Sequence, residues 1–407
     1  MNEQLWHWVD ANSGADPNVL RLKYHKADIT DFDINDAITQ IECRRRFGKK
    51  LADTLDRCPH FFFPKSISGE QCTGDRLAAF HASLVTPGSK TADLTAGLGI
   101  DAIYMARRAS AVTAVELDPQ ISRALEYNAS LMDLPITVVN ADCRDFIKDS
   151  SDRFDAVFID PARRDSAGHR LYALTDCSPD VTTMLPAISR LTRRLIVKAS
   201  PMLDIRRTIT ELPCASRVIA LGTPTECKEL IAIVDFDNST EHPSIEATTI
   251  MADGTIATET FTSEDEASAS AIYSTPSPGD YIYEPWPAVM KAAPMKLLAQ
   301  KYHLKKIAPN THIYFSDKIE PAFPGTLMAL DEIIPYQSKY IKRLHQRIPR
   351  AEIATRNFPA QAEILRKKLK ISDGDGSRIL AVTDSEGSPL LLILSEIGPT
   401  EKTDRNG

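Results

Sequence analysis

Apolar residues recur along this chain in two rhythms. From Phe32 to Leu55, the residues Ile34, Ala37, Ile38, Ile41 and Phe47 return at roughly helical spacing and predict one long helix. Asp31, Asp33 and Asp36 fall near its start, and Arg44, Arg45, Arg46, Lys49 and Lys50 fall later, the order that a helix dipole favours. Phe61 to Phe63 read as a packing stretch, punctuated by Pro64 and Gly69, and Thr73 to Leu84 as a further helix. After that the rhythm changes. Short apolar runs, within AVTAVELD, PITVVNADCRDF, FDAVFIDPARR and LIVKASP, alternate with the helix-like runs IYMARRAS, ISRALEYNASL and VTTMLPAISRL. Ser178, Pro179 and Asp180 read as a helix start with proline in the first turn. Strand–helix alternation predicts a doubly wound α/β sheet with ligands at the carboxyl ends of the strands. ASRVIALG and ELIAIVDF follow closely on one another and predict an antiparallel end to that sheet.

The C-terminal half has a different texture. From Glu229 to Met290 there is no Lys or Arg. SIEATTI and TIATETF alternate around ADG, a hairpin signal. SEDEASASAIYSTPSPGD reads as a solvated connector. YIYEPWPAVMKAAPMKLLAQKYHLKKI supplies an aromatic anchor and an amphipathic helix, with Trp286 suited to a core or interface, and NTHIYFSDK reads as a strand. These segments suggest a small α+β, ferredoxin-like module. Charge then reverses. Ten basic residues lie between Lys339 and Lys370, opposed by Glu352 and Glu363 alone, and Arg366, Lys367 and Lys368 fall together in AEILRKKLK. Such a tract is the electrostatic footprint of a nucleic-acid partner. RILAVTD and PLLLILSEI read as two strands joined by a turn.

Composition narrows the picture. A chain of 407 residues, 43% hydrophobic and 25% charged, has room for two or three domains. The segments expected are a helical region over 1–87, an α/β domain over 88–238, an acidic and ferredoxin-like stretch over 239–325 and a basic domain over 326–401. A net charge of -7 excludes a uniformly basic protein. No apolar run is long enough to span a membrane, and MNEQLWHWVD lacks the pattern of a signal peptide. The seven cysteines include no CxxC pair, which suits a reducing cytoplasmic compartment, and no metal site is expected.

The chemistry concentrates at TADLTAGLGID, where a short apolar lead ends in Asp93 and a turn with Gly97 and Gly99 opens a helix. Glu116 ends the next apolar run about 20 residues on, where an acidic residue meets a ribose in nucleotide-binding α/β folds. Asp142 and Asp160 each follow further runs. Four strand-end carboxylates are expected to face one crevice. A dehydrogenase would carry a third glycine, but Gly97, Leu98, Gly99, Ile100, Asp101 and Ala102 lack it. S-Adenosylmethionine has no pyrophosphate to seat, and its ribose, adenine and charged tail suit an acidic row.

On these residues, the stretch from about 90 to 235 resembles class I S-adenosylmethionine-dependent methyltransferases. DLTAGLGID resembles the motif that holds the cofactor's amino-acid tail, VELD the ribose motif, NADCRDF the adenine-side motif, and IDPAR stands in the place of the catalytic fourth motif. The resemblance implies a cofactor set of Asp93, Thr95, Gly97, Gly99, Asp101, Glu116, Leu117, Asp142 and Cys143, and seven strands with the last antiparallel. EQCTGDRLAAFHASL, DPARRDSAGHRLYALTDCSPD, ECKEL, YIYEPWPAVMKA, NTHIYFS and RNFPAQAEILRKKLKISDGDG resemble, more specifically, bacterial enzymes of this class that carry a THUMP-like C-terminal domain. That resemblance implies a base in structured RNA, tRNA or rRNA, as methyl acceptor. Methyltransferases acting on protein or small molecules, and a non-catalytic RNA-binding scaffold, are the competing readings.

For the transfer step the expected residues are Asp160, Pro161 and Arg163, with Asp160 accepting a hydrogen bond from the acceptor N–H. Base-nitrogen methyltransferases often carry a second proline and an aromatic here. Ala162 and Arg163 stand in their place, which weakens an adenine N6 assignment. Glu70, Gln71, Arg164, Lys198, Arg366, Lys367 and Lys368 are the substrate-side candidates. Cys177 raises carbon-5 pyrimidine chemistry, but without a basic neighbour an incidental cysteine is the better reading.

Overall fold

The computed structural model describes residues 3–24, 31–163, 173–238, 240–374 and 377–397. These fall into two compact units: residues 1–218 with 230–241, and residues 219–229 with 242–407.

Among the described residues the first unit opens with α1 (Glu3–Asn12), α2 (Pro17–Tyr24), α3 (Ile34–Phe47), α4 (Ala52–Arg57), α5 (Ser66–Gln71) and α6 (Asp75–Ser83). Leu5, Trp6 and Val9 of α1, Leu20 of α2 and Ile38 and Ile41 of α3 close one core with Phe62. The single helix expected from Phe32 to Leu55 is two helices. The first stops at Phe47, and buried Asp75 caps the second by accepting the N–H groups of Asp53 at 2.7 Å and Thr54 at 3.1 Å. Periodicity could not show this break, because the capping carboxylate comes from a later helix.

The basic run is exposed at Arg45, Arg46 and Lys49, whereas Arg44 is partly buried and held by the protein itself. Arg44 donates to the carbonyls of Pro59 at 2.8 Å and Phe61 at 2.9 Å, with its guanidinium 4.9 Å from the Trp6 ring centroid. Burial lowers its pKa to about 10. Arg45 donates to the Ala15 carbonyl at 2.9 Å, and Arg46 to Ser66 at 2.9 Å and Glu70 at 3.0 Å. Phe61, Phe62 and Phe63 are buried, as their run predicts. Two side-chain amides pair with that run as a neighbouring strand would: Gln40 with the backbone of Phe63, and Asn128 with the backbone of Phe62.

The α/β part follows as β1 (Lys90–Asp93), α7 (Ile100–Ala106), β2 (Ala111–Glu116), α8 (Pro119–Leu131), β3 (Ile136–Asn140), α9 (Cys143–Asp149) and β4 (Ala156–Ile159). A two-residue pair, β5 (Ala162–Arg163) and β6 (Cys177–Ser178), precedes α10 (Val181–Leu191), β7 (Arg194–Ala199), α11 (Ile205–Glu211), β8 (Ala215–Gly222) and β9 (Cys227–Asp235). The strand order is β8-β9-β7-β4-β1-β2-β3. The pairs from β3 across to β7 are parallel, and β9 runs antiparallel to β7, the expected ending. Asp180 caps α10 by accepting the Thr182 N–H at 3.0 Å, so Pro179 lies before the helix and not in its first turn.

In the second unit, β10 (Ser244–Ile250) and β11 (Ile256–Phe261) form the expected antiparallel hairpin. The stretch expected as a connector holds a helix, α12 (Ser263–Ser268), fixed by a capping box between Thr262 and Asp265. Next come β12 (Tyr281–Pro285), α13 (Pro287–Ala292), α14 (Met295–Lys301), β13 (Lys305–Ala308), β14 (Thr311–Ser316) and β15 (Gly325–Pro335). The end is α15 (Ser338–Ile341), α16 (Leu344–Arg347), β16 (Glu352–Arg356), α17 (Ala362–Leu369), β17 (Arg378–Thr383) and β18 (Pro389–Ser395). These strands make one seven-stranded sheet, β13-β14-β12-β15-β18-β17-β16. Alternation along β17 sends Ile379 and Ala381 into one apolar cluster and Leu380 and Val382 into the other, so both faces are covered. Among the described residues, no helix is long and apolar enough to cross a membrane.

Candidate cofactor and acceptor site

All the geometry of this site lies in the first unit, around the loop that leaves β1. Asp93 ends that strand and is 1% exposed, and its Oδ1 accepts the Thr95 N–H at 3.1 Å. The Thr95 hydroxyl accepts the Asp160 N–H at 2.7 Å, which ties the end of β4 to the loop. Glu116, the last residue of β2, accepts the Gly97 N–H at 2.8 Å on one oxygen and the Asp118 N–H at 2.7 Å on the other. Three neighbouring parallel strands thus converge on Thr95 to Gly97. The loop needs its glycines: φ is +54° at Gly97 and +85° at Gly99. A Cβ on Gly99 would meet Leu125 Cδ1 of α8 at 2.0 Å, whereas one on Gly97 would meet nothing within 4 Å.

Burial pushes the Asp93 carboxyl well above its ordinary pKa, and the carboxylates of Asp101 and Asp160 push it further. The Thr95 N–H and Lys198 oppose this and do not cancel it. Asp101 goes the other way. Burial raises it, but the adjoining His81 and then Lys198 outweigh burial and lower it to about 2. Both Asp101 oxygens are engaged, Oδ1 with His81 Nδ1 at 2.7 Å and Oδ2 with the Thr73 hydroxyl at 2.5 Å. The residue expected beside a cofactor is therefore bound into the helical region. Lys198, expected on the substrate side, donates to Asp160 Oδ2 at 2.5 Å and to the Thr73 hydroxyl at 3.0 Å.

The fourth carboxylate stands apart from the loop. Asp142 caps α9 by accepting the Arg144 N–H at 2.8 Å, and it pairs with the Arg144 guanidinium at 2.5 Å. That hydrogen bond lowers the Asp142 pKa to about 2. Burial raises the neighbouring Cys143 thiol to about 11. Leu117, directly after Glu116, is 66% exposed, unusual for a leucine beside a buried loop.

The remaining candidates divide. Glu70 is ion-paired with Arg46 and Gln71 is exposed at the end of α5. Pro161 is buried. The Arg163 backbone is paired with that of Cys177, whose side chain is 3% exposed, and Arg164 lies outside the described residues. In the second unit, Arg366 is paired with Asp373 at 2.6 Å, Lys367 is exposed, and Lys368 lies 4.5 Å from the Tyr336 ring centroid. The other basic residues of the tract are spread over β16, α15 and α16 and their connections. No metal-ligand cluster occurs among the described residues. The sequence reading missed Thr73 and His81. Both lie within EQCTGDRLAAFHASL, but nothing in their spacing signals an acidic partner at position 101.

Residues 82–174 match a family described as conserved hypothetical protein 95, residues 281–324 a ferredoxin-like domain, and residues 325–396 a THUMP domain-like family. A solved structure named as a candidate methyltransferase from Porphyromonas gingivalis W83 is 29% identical, with a TM-score of 0.88, over 97% of this chain and 98% of that one. A tRNA (guanine(37)-N(1))-methyltransferase of Danio rerio is 44% identical over 78 residues, 18% of this chain and 16% of the relative. An uncharacterized protein of Methanocaldococcus jannaschii is 34% identical over 99 residues, 23% of this chain and 34% of the relative. The chain thus spans only a minor part of these two curated relatives.

Proposed function

We propose that this chain, which has the class I S-adenosylmethionine-dependent methyltransferase fold followed by ferredoxin-like and THUMP-like domains, methylates a base in structured RNA, tRNA or rRNA. One observation carries the proposal above the rest: the carboxylates of Asp93 and Glu116, the last residues of two parallel strands, and the backbone N–H of Asp160, directly after a third, are all hydrogen-bonded to the loop Thr95 to Gly97.

The residues present fit the cofactor. Buried Asp93, with its raised pKa, suits a cationic amino group that would restore its ionised form. Glu116 keeps lone pairs for ribose hydroxyls beyond its two backbone bonds. Exposed Leu117 offers an apolar surface to adenine, with Asp142 and Cys143 on the adenine side. Gly97, with open space where a Cβ would stand, leaves the loop backbone approachable. When bound, S-adenosylmethionine supplies an electrophilic methyl group on a sulfonium. Asp160 orients the acceptor N–H and takes up its proton, and Lys198 fixes the Asp160 carboxylate. A carbon-5 mechanism through Cys177 is disfavoured by that thiol's burial.

The RNA acceptor rests on the THUMP-like match, on the stated activity of the Danio rerio relative, and on the basic tract, where Lys367 and Lys368 on α17 are the leading contacts. The free cysteines among the described residues support a cytoplasmic setting. Calorimetric titration with S-adenosylmethionine tests the site. Removing a charged hydrogen-bonding group costs about 1.5–3 kcal/mol, so Asp93→Ala and Glu116→Ala should each weaken binding by about tenfold or more. Unchanged affinity in both variants overturns the assignment.

A further inference from the structure

Five side chains form one hydrogen-bonded string that reaches Asp160 from the helical region. It starts at His81 of α6, which is 0% exposed, and passes through Asp101 of α7 at 8% and Thr73 at 6%. It ends at the Lys198–Asp160 pair, where side-chain exposure rises to 13% and 37%. The string therefore runs from sealed interior to the open end of β4.

Its hydrogen bonds have a fixed direction. A lysine ammonium only donates, so the Thr73 oxygen must accept from Lys198 Nζ at 3.0 Å. The single Thr73 hydroxyl proton is then available to Asp101 Oδ2, at 2.5 Å. The other Asp101 oxygen is held by His81 Nδ1 at 2.7 Å. Asp101 thereby fixes the rotation of the threonine hydroxyl, and that hydroxyl fixes one of the lysine's donors. A second donor is directed to Asp160 Oδ2 at 2.5 Å, while the Asp160 backbone is anchored through Thr95. Each partner is set by the one behind it, as in a buried polar network in which every member is satisfied.

We propose that Thr73, oriented by Asp101 and His81, is a positioning residue that sets the Lys198–Asp160 pair for the methyl acceptor, so that the helical N-terminal region completes the site. This rests on the methyltransferase reading above. It assigns a role to Thr73 and His81, neither of which belongs to the cofactor loop or to the fourth motif. A hydroxyl is required at position 73, not merely its volume. Valine there would fill the same space and leave Asp101 Oδ2 and one Lys198 donor without their partner.

The test compares the full-length wild-type protein with Thr73→Val, Thr73→Ala and Thr73→Ser. Three readouts are taken: S-adenosylmethionine affinity by calorimetry, tritiated-methyl transfer to total RNA from cells lacking the gene, and the 13Cε resonance of Lys198. Small misplacements of a reacting group cost up to about a hundredfold in rate. Thr73→Val should lower turnover about tenfold to a hundredfold, keep cofactor affinity within about twofold and shift the Lys198 resonance. Thr73→Ser should restore both turnover and resonance, which a purely space-filling role would not require. Thr73→Ala removes the same hydroxyl and serves if the valine variant does not fold. Wild-type turnover with an unmoved Lys198 resonance in the hydroxyl-free variants overturns the proposal, as does a serine variant as impaired as the valine one. If the wild-type protein binds no S-adenosylmethionine, the methyltransferase reading fails, and the resonance shift still decides whether Thr73 positions Lys198.

Discussion

Gly97 and Gly99 share a motif and a left-handed backbone, yet alanine at the two positions should have unequal effects. At Gly99, φ is +85° and a Cβ would lie 2.0 Å from Leu125 Cδ1 and 3.1 Å from Leu125 Cγ. Left-handed backbone costs a non-glycine residue about 1–2 kcal/mol. Forcing carbon against Leu125, which is 0% exposed and held within α8, adds about 1–3 kcal/mol of overpacking. The less flexible unfolded chain returns about 0.4–1 kcal/mol. Gly99→Ala should therefore destabilise by about 2–4 kcal/mol. At Gly97, φ is +54° with nothing within 4 Å, so only the strain remains and the net loss is about 1 kcal/mol or less. For a unit of this size each kcal/mol moves the melting midpoint by about 2–4 °C, and calorimetric scans resolve the difference. The collision should also appear as coupling: Leu125→Ala should cost less in the Gly99→Ala background than alone. Equal midpoint shifts for the two glycine variants, or additive costs with Leu125→Ala, would refute the packing argument.

Because the folded Asp93 pKa is raised, its neutral form is the favoured one. Its contribution to stability is full below the ordinary value of 3.8 and is lost as pH rises through the elevated folded value. Asp93→Asn should accordingly flatten the fall in melting temperature as pH rises above the ordinary carboxylate range, and an equal slope in both proteins would count against it. Cofactor binding should tighten with rising pH over the same window and release a proton, seen as a buffer-dependent calorimetric enthalpy. Arg44→Ala should destabilise by about 3 kcal/mol, since it removes charged hydrogen bonds to two carbonyls and the contact with Trp6, while leaving RNA affinity unchanged. Loss of RNA affinity without loss of stability would instead give that arginine a phosphate-binding role. Lys367→Gln and Lys368→Gln should each lower the slope of log affinity against log salt for tRNA by about one, and unchanged slopes would remove α17 from the RNA surface.

Much of the fold was legible because it is written in local rhythm. The runs ending at Asp93, Glu116 and Asp160 form neighbouring parallel strands of the expected α/β sheet, and the ADG hairpin closes where its alternation says it should. The errors share a cause, which is that distant partners decide them. Asp75 caps α4 and so divides the helix that periodicity joined. Carbonyls at Pro59 and Phe61 claim Arg44, partners that charge patterning along a helix cannot show. At the site, the residues of the glycine turn were recognisable because backbone conformation dictates them. Thr73 and His81 were not, because their significance comes from meeting Asp101 and Lys198 across packed helices and strands. The same contacts explain why Asp101 is held inward and Lys198 is tied to Asp160.

The central claim is methyl transfer to RNA, and incubation of the full-length protein with tritiated-methyl S-adenosylmethionine and total RNA from cells lacking the gene tests it most directly. Nucleoside analysis of the digested RNA should give one labelled methylated nucleoside, absent when Asp160→Ala replaces the wild-type protein. Label confined to protein or small molecules, or RNA labelling unaffected by Asp160→Ala, would contradict the account.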